Sequence, residues 1–425
     1  MRTLILFLSA LASLALVSQT HAALYSILPD GSGDYPTIQA GVDAIMDGDV
    51  LELGAGTFAG PGNRDIDFLG KAITIRSQSG DPETCIIDCQ GTESEPHRAF
   101  HLHSGETAGT TLSGVTITHG WMGDESRGGG IACENAGSLL VAGCILTEIH
   151  GAAALCIDGS RLEVHDCVFT GNEALEGGGI CCEEATLVLE GCRFTENEAF
   201  QLGGAVHAHA AVVDLLDCEF EHNHAVHGGA ADFHISTVAV VRDCRFYENH
   251  ATEAGALCLY AGCNGTVEGC TFAGNISSDW ASALSAGKGS GCQIQSSTFH
   301  GNSGGFGAVL LSDALCTMSQ VVIAFNDWGL YQYSTVAMTC CDIFGNEGGD
   351  WIGDFADQLG VNGNICEDPL FCDPEQRDFQ LNAASPCAPF SPPNPECDLI
   401  GAWPVGCSGT PVEAIRWGRL KNAFR

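Results

Sequence analysis

The sequence predicts an all-β chain folded as a single-stranded right-handed parallel β-helix, a solenoid with one coil per repeat. Three observations predict it: a motif that recurs every 25 or 26 residues, a small-residue motif with the same period, and short β-branched and apolar runs between them. One such unit cannot bury its apolar face alone, whereas stacked units can. We also expect a short helical cap at the N-terminal end and an irregular, Cys- and Pro-rich cap at the C-terminal end.

The first repeated motif is Cys-x-Phe-x-x-Asn, which occurs five times from Cys167 to Asn275. If each repeat is one coil, equivalent residues stack about 4.8 Å apart. Asn at one position of every coil then forms a structural ladder, because amides bond to the amides of the next coil and Asn tolerates left-handed backbone. The predicted ladder residues are Asn172, Asn197, Asn223, Asn249, Asn275 and Asn302.

The cysteines that begin this motif predict a second column, inside the coils. Its members are Cys144, Cys167, Cys192, Cys218, Cys244 and Cys270. Neighbours one strand spacing apart meet the Cα distance of a disulfide, but parallel side-chain directions do not suit that bond. We therefore expect reduced, buried thiols. Disulfides are expected nearer the two ends, among the following cysteines: Cys85, Cys89, Cys366, Cys372, Cys387, Cys397 and Cys407.

The chain divides into four predicted segments: a signal peptide at 1–22, the β-helix with its N-terminal cap at 23–365, a closing segment at 366–408 and a basic amphipathic tail at 409–425. The first segment has one arginine, an apolar run and a small-residue cleavage site, which is typical of a secretory signal. We therefore expect a secreted or cell-surface protein. The tail is interpreted either as an element read by sorting machinery or as a helix that lies on the acidic body.

The negative charge of the chain argues against anionic partners. The chain has 53 Asp and Glu residues against 16 Lys and Arg, for a formal net charge of -37. Nucleic acid is repelled by such a surface, and an anionic polysaccharide would need a bridging cation. After the signal, no apolar run reaches the roughly 18 residues that a membrane helix needs.

Two further stretches resemble a known superfamily. Residues 30–58 resemble the opening of many pectin-lyase-like right-handed parallel β-helices, and residues 367–388 resemble the segment that closes them. The repeated GGA[IV] and FxxN motifs resemble the repeats of polymorphic outer-membrane proteins. That superfamily includes lyases, hydrolases and adhesins, so the resemblance implies the fold and leaves the function open.

The strand after each small-residue motif carries the candidate functional residues. Its first residue points inward, so the second and fourth point outward. Over four coils these outward positions form what we call the outer strip: Cys181, Glu183, His207, His209, Asp232, His234, Cys258 and Tyr260. The simplest interpretation is a solvated strand face. General acid–base use of Asp232 beside a histidine is an alternative.

A metal site is a further interpretation of the same strip. The candidate ligands are His207, His209, Asp232 and His234, because imidazole and carboxylate bind divalent cations. No motif demands a cofactor; if one is bound, we expect calcium or zinc.

Three functions remain open. The leading one is an exported bacterial protein that binds a carbohydrate or another cell-surface partner, as an adhesin does, without an evident catalytic site. The alternatives are a polysaccharide lyase or glycoside hydrolase, and a divalent-metal-binding surface protein. The resemblance does not favour an enzyme, because the paired-Asp and Gly-His-Gly signatures of polygalacturonases are absent and no Lys or Arg lies in the outer strip.

Overall fold

The computed structural model describes residues 22–123, 128–135 and 137–408. Within these residues the predicted all-β solenoid is confirmed: successive coils pair in parallel along the whole length. The predicted signal peptide, except Ala22, and the tail at 409–425 lie outside the described residues. In the described part of the chain, no helix is both long and apolar enough to cross a bilayer.

Each central coil contains four short strands, and each strand belongs to a different sheet. The coil that begins at Thr186 shows the order: Thr186–Glu190 in the first sheet, Arg193–Thr195 in the second, Glu198–Leu202 in the fourth and Val206–His209 in the third. The fourth sheet was not predicted from the sequence. It occupies the stretch between the ladder asparagine and the small-residue motif.

The strands of the four sheets have the following bounds. The first sheet comprises Leu24–Ile27, Val50–Leu53, Thr74–Ser77, Thr111–Ser113, Ser138–Ala142, Arg161–His165, Thr186–Glu190, Val212–Leu216, Val238–Arg242, Asn264–Glu268, Gly291–Gln295, Leu315–Ser319 and Val336–Thr339. The second comprises Gly56–Ala59, Cys85–Asp88, Thr116–Thr118, Ile145–Thr147, Val168–Thr170, Arg193–Thr195, Glu219–Glu221, Arg245–Tyr247, Thr271–Ala273, Thr298–His300, Val322–Ala324 and Asp342–Phe344. The third comprises Ile66–Asp67, Phe100–Leu102, Ile131–Cys133, Ala154–Ile157, Ile180–Glu183, Val206–His209, Ala231–His234, Leu257–Tyr260, Ala281–Gly287, Gly307–Ser312 and Leu330–Gln332. The fourth comprises Glu173–Glu176, Glu198–Leu202, His224–His227, His250–Glu253, Ile276–Ser277 and Ser303–Gly304.

Short elements complete the two ends. A small fifth sheet comprises Phe371–Asp373, Asp378–Asn382 and Val405–Cys407. The α-helix is Ile38–Ala44, and the 3₁₀ segments are Pro82–Thr84, Gly353–Gln358 and Pro374–Gln376.

The phenylalanines of the repeat form a continuous stack in the core. Their rings are parallel within 10°, and neighbouring centroids lie between 4.6 and 5.0 Å apart. The stacked residues are Phe169, Phe194, Phe220, Phe246, Phe272 and Phe299. This spacing equals the distance between paired strands, so in-register stacking fixes one ring over the next.

The ladder asparagines are buried, and each side chain makes bonds in both directions along the solenoid axis. Asn223 donates from Nδ2 to the Oδ1 atom of Asn249 at 2.9 Å and to the carbonyl of Phe194 at 3.0 Å. Its Oδ1 atom accepts from both the backbone N–H and the Nδ2 atom of Asn197, each at 3.0 Å. The ladder continues beyond Asn302 through two further members, Asn326 and Asn346.

The cysteine column is buried, and its thiols are unoxidised. The thiol of Cys192 donates to the carbonyl of Val164 at 3.3 Å. Contact with the Cys218 thiol, followed by burial, raises the pKa of the Cys192 thiol, and burial raises the pKa of the Cys244 thiol. The disulfides among the described residues join Cys340 to Cys397 and Cys372 to Cys407, both at the C-terminal end. The prediction of a disulfide near the N-terminal end is wrong. Cys85 and Cys89 are free thiols, and both are packed into the main core.

Both ends of the solenoid are covered. At the N-terminal end, the helix begins after Thr37, whose hydroxyl accepts from the N–H of Ala40, and it buries Ile38 and Val42. At the C-terminal end, Phe355 from the segment Gly353–Gln358 packs into the main core. These elements cover coil edges that would otherwise be open to edge-to-edge association.

The closing segment lies along the side of the solenoid, on the outer face of the second sheet. Trp403 donates from its indole N–H to the hydroxyl of Thr271 at 2.7 Å. Arg377 donates to the carboxylates of Glu221 and Glu248 at 2.8 and 2.6 Å. The apolar residues Phe371, Phe379 and Leu381 of the closing segment form a cluster with second-sheet side chains. The second sheet is therefore not free to bind a partner along these coils.

Candidate functional site

The fourth and third sheets meet at a tight corner formed by the small-residue motif. A side chain at Gly178 would place its Cβ 2.6 Å from the carbonyl oxygens of both Glu198 and Gly204, so the chain passes too close to the next coil for any residue but glycine. The corner brings the end of each fourth-sheet strand beside the start of the third-sheet strand that follows. It therefore covers part of the outer strip.

The structure corrects the interpretation of the strip as a solvated face. Side chains of the column nearer the corner are almost fully buried, with 0% exposure for Cys181, 3% for His207, 0% for Asp232 and 6% for Cys258. Cys181 packs against Ala174 of the fourth sheet, which explains the burial. The column farther from the corner is half-buried: Glu183, His209, His234 and Tyr260.

His207 and Asp232 form a buried pair on neighbouring strands. The Nδ1 atom of His207 lies 3.4 Å from an Asp232 carboxylate oxygen, and the second histidine, His234, places Nε2 3.9 Å from the same oxygen. Neither Asp232 oxygen has a hydrogen-bond partner in the described structure. Burial lowers the pKa of His207, but the carboxylates of Asp232, Glu176 and Glu183 outweigh it and the net pKa is raised.

The predicted metal ligands are therefore brought together only in part. His207 and His234 flank Asp232, whereas His209 is half-buried next to His234 on the neighbouring strand and has no ion pair with a described residue. In the described ranges, a different set has all its donor atoms within 4.8 Å of one another: Glu176, Cys181 and Glu183.

Glu176 joins this set because of the unpredicted fourth sheet. It ends the fourth-sheet strand Glu173–Glu176, only five residues before Cys181, and its carboxylate lies 3.9 Å from the Nε2 atom of His207. The Sγ atom of Cys181 lies 3.7 Å from the Glu183 carboxylate. We call these residues, together with His207 and Asp232, the buried corner.

The outer strip continues into a group of aromatic side chains in later coils. Three coils beyond Cys258 and Tyr260, the register places Tyr331 in the first column and Tyr333 in the second. The intervening residues are Ser285 and Leu310 in one column and Gly287 and Ser312 in the other. With Trp280 and Phe306 these residues form the aromatic cluster. Phe306 is 53% exposed and Tyr333 is 72% exposed. A large exposed aromatic surface on a rigid sheet is typical of a binding site.

Trp280, Phe306 and Tyr333 of the aromatic cluster line a groove of about 200 Å³ together with Ser312 and the buried Leu310. The rings of Tyr331 and Tyr333 meet edge to face at 5.2 Å, and Phe306 lies 6.1 Å from Tyr331. Because the tyrosines are on a sheet strand or directly follow one, their positions are fixed by the coil stacking.

Sequence reasoning missed the aromatic cluster. Its members lie where the small-residue motif is degenerate, so they do not align with the earlier coils. One signal was available: Trp280 and Phe306 stand immediately before the small residues of their coils, where earlier coils have Glu176, His227 and Glu253.

Solved structures with similar folds include several enzymes that act on polysaccharides. Pectate lyase Pel9A has a TM-score of 0.48 and 14% identity, covering 90% of this chain and 96% of that chain. A mannuronic acid specific polysaccharide family 6 lyase from human gut microbiota has a TM-score of 0.46 and 12% identity, covering 81% and 91%. The A-module of mannuronan C-5 epimerase AlgE6 from Azotobacter vinelandii has a TM-score of 0.38 and 11% identity, covering 78% and 94%. With TM-scores below 0.5 and identities of 14% or less, these neighbours assign no activity to this chain.

Comparison of sequences gives a family and no individual relative. No curated protein matches the chain. The family described as right handed beta helix region matches residues 62–214 and again residues 203–365, which together span most of the coils. With the parallel sheets and the in-register repeats, these matches show that the chain belongs to the right handed beta helix family.

Proposed function

We propose that this protein is exported and binds an uncharged, extended carbohydrate chain along the half-buried column of the outer strip and the aromatic cluster that continues it. The aromatic cluster carries the proposal, because exposed Phe306 and Tyr333 beside Tyr331 and Trp280 offer flat apolar surfaces on one face. The apolar faces of sugar rings stack on such surfaces, and the tyrosine hydroxyls supply hydrogen bonds to sugar hydroxyls.

The geometry of the strip suits a linear polymer. From His209 to Tyr333 the outer column crosses five coil intervals, or about 24 Å at the ordinary strand spacing. Half-buried polar residues occupy the first part, and rings occupy the last. A chain lying along the axis would meet both parts.

The charge of the protein favours an uncharged ligand. A net charge of -37 repels polyanions at long range, and the strip itself contains carboxylates. Among the described residues, the cation found against a ring of the strip is Lys288, which lies over Tyr260 at 5.2 Å.

Binding explains the strip better than catalysis does. The pair best suited to proton transfer, His207 and Asp232, is 3% and 0% exposed, so a sugar chain on the surface does not reach it. A general acid or base must come within hydrogen-bond distance of the proton that it transfers.

Affinity electrophoresis through gels that contain single polysaccharides, both uncharged and anionic, tests the proposal. We expect retardation by at least one uncharged polysaccharide, and at least about tenfold weaker binding for Tyr333→Ala and Phe306→Ala, since a central aromatic contact is worth more than about 1.4 kcal/mol.

Leu315→Ala is the matched control. Leu315 is 84% exposed but lies on the first sheet, so its removal deletes apolar surface elsewhere and should leave the affinity unchanged. Equal affinity of Tyr333→Ala and the wild type would contradict the proposal. So would selective loss in Trp121→Ala, since Trp121 lines a separate groove with His119 and His150.

A further inference from the structure

We infer that the buried corner is a zinc-type metal site in which Cys181, Glu176, Glu183 and His207 are the ligands and Asp232 orients the histidine. This site differs from the quartet predicted from the sequence. It does not depend on the proposed carbohydrate binding.

The donor atoms of Glu176, Cys181 and Glu183 lie close enough together for small side-chain movements to bring them onto one cation, with His207 beside Glu176. In tetrahedral zinc sites the ligand distances of about 2.0–2.3 Å place donor atoms roughly 3.3–3.8 Å from one another. Here the Sγ atom of Cys181 lies 3.7 Å from Glu183, and the Nε2 atom of His207 lies 3.9 Å from Glu176. The donor atoms of Glu176, Cys181 and Glu183 are all within 4.8 Å of one another.

The two ring nitrogens of His207 face different groups, as in a ligand histidine. Nε2 faces Glu176 of the ligand set, and Nδ1 faces Asp232 at 3.4 Å on the opposite side. Metal-bound histidines almost always donate their second N–H to a carboxylate or carbonyl, which fixes the ring and strengthens the ligand. Asp232 stands in the position of that carboxylate.

Asp232 itself points to a bound cation. Its side chain is 0% exposed, and neither of its oxygens has a hydrogen-bond partner in the described structure. Its charged neighbours in the described chain are His207 and His234, without a lysine or arginine. A buried carboxylate with so little compensation is costly. A dication held by the adjacent His207 would offset that cost.

The donor set selects among metals. A thiolate and an imidazole suit zinc and its transition-metal neighbours, whereas calcium and magnesium prefer oxygen ligands alone. The expected ion is therefore zinc, and cobalt is its spectroscopic substitute.

Titration of the chelator-treated full chain with Co²⁺ tests the site. We expect one cobalt per chain and a thiolate-to-cobalt charge-transfer band in the near-ultraviolet absorption spectrum. Cys181→Ser should abolish the band. Asp232→Asn should keep it but weaken the affinity about 10–100-fold, because Asp232 acts through His207 and not on the ion.

Cys366→Ser is the control, because Cys366 is the one free thiol among the described residues that is not fully buried. It should bind cobalt as the wild type does. Thermal unfolding of chelated Cys181→Ser at the wild-type temperature establishes that the variant folds. Absence of the band in the wild type, or its persistence in folded Cys181→Ser, would overturn the inference.

Discussion

Asn223→Ala is expected to lower the free energy of unfolding by at least about 3 kcal/mol, because several buried groups lose partners at once. Its side chain accepts from the N–H and Nδ2 groups of Asn197 and donates to the carbonyl of Phe194 and to Asn249. Each buried polar group left unpaired costs roughly 1–3 kcal/mol. Alanine replaces none of these bonds, and it leaves an unfilled space in the core.

Urea denaturation measures the loss of unfolding free energy for the whole protein. Native-state hydrogen exchange at the Asn197 amide measures the loss of local stability. The neighbouring His224→Ala is the control, because that imidazole is half-exposed and its contacts are surface ones, with Glu198 at 3.4 Å and with the stacked ring of His250. We expect its effect to stay within about 0.5 kcal/mol. A loss below 1 kcal/mol for Asn223→Ala, with unchanged exchange at Asn197, would contradict a structural role for the ladder.

Asp342→Asn is expected to stabilise the protein more strongly as the pH rises. Asp342 is fully buried on the last strand of the second sheet, where it accepts from the N–H of Glu367 and the thiol of Cys387. Burial raises its pKa from 3.8 to about 8. Because the folded-state pKa is the higher one, the folded protein keeps a proton that the unfolded chain releases above pH 4.

The contribution of Asp342 is therefore fully present below about pH 4 and is lost progressively up to pH 8. The difference in unfolding free energy between Asp342→Asn and the wild type should grow by about 1.4 kcal/mol per pH unit, to roughly 4 kcal/mol at pH 7. Denaturation at several pH values measures it. The exposed Asp313→Asn is the control and should give a constant difference. A constant difference for Asp342→Asn as well would refute a raised pKa.

The sequence predicted those parts of the structure that depend on the coil period alone. Once 25 or 26 residues are taken as one coil, equal positions must stack, so the asparagine ladder, the Phe194 ring column and the thiol of Cys192 follow from pairing one strand on the next. The inward and outward alternation along the third-sheet strands follows from the two-residue period of a strand.

The environment of the outward residues could not be predicted in the same way. Alternation shows that His207 and Asp232 point away from the core, but not whether another element covers them. That depends on the angle of the chain at Gly178 and Gly204, where the fourth sheet turns onto the third. Backbone angles at glycine are the least restricted of any residue, so the sequence leaves the angle open.

The closing segment illustrates a second limit. Its composition indicates an irregular cover, yet its position on the second sheet depends on long-range contacts such as Arg377 to Glu221, 156 residues apart. Local patterns do not encode such pairs.

The central claim is that the outer strip of the third sheet is the binding face. Hydrogen–deuterium exchange of the protein tests it most directly, measured with and without the polysaccharide that retards it in affinity electrophoresis. We predict slower exchange in and around Gly307–Ser312 and Leu330–Gln332, with no change in the first-sheet strand Leu315–Ser319. Protection confined to the first sheet, or to the groove around Trp121, would contradict the claim.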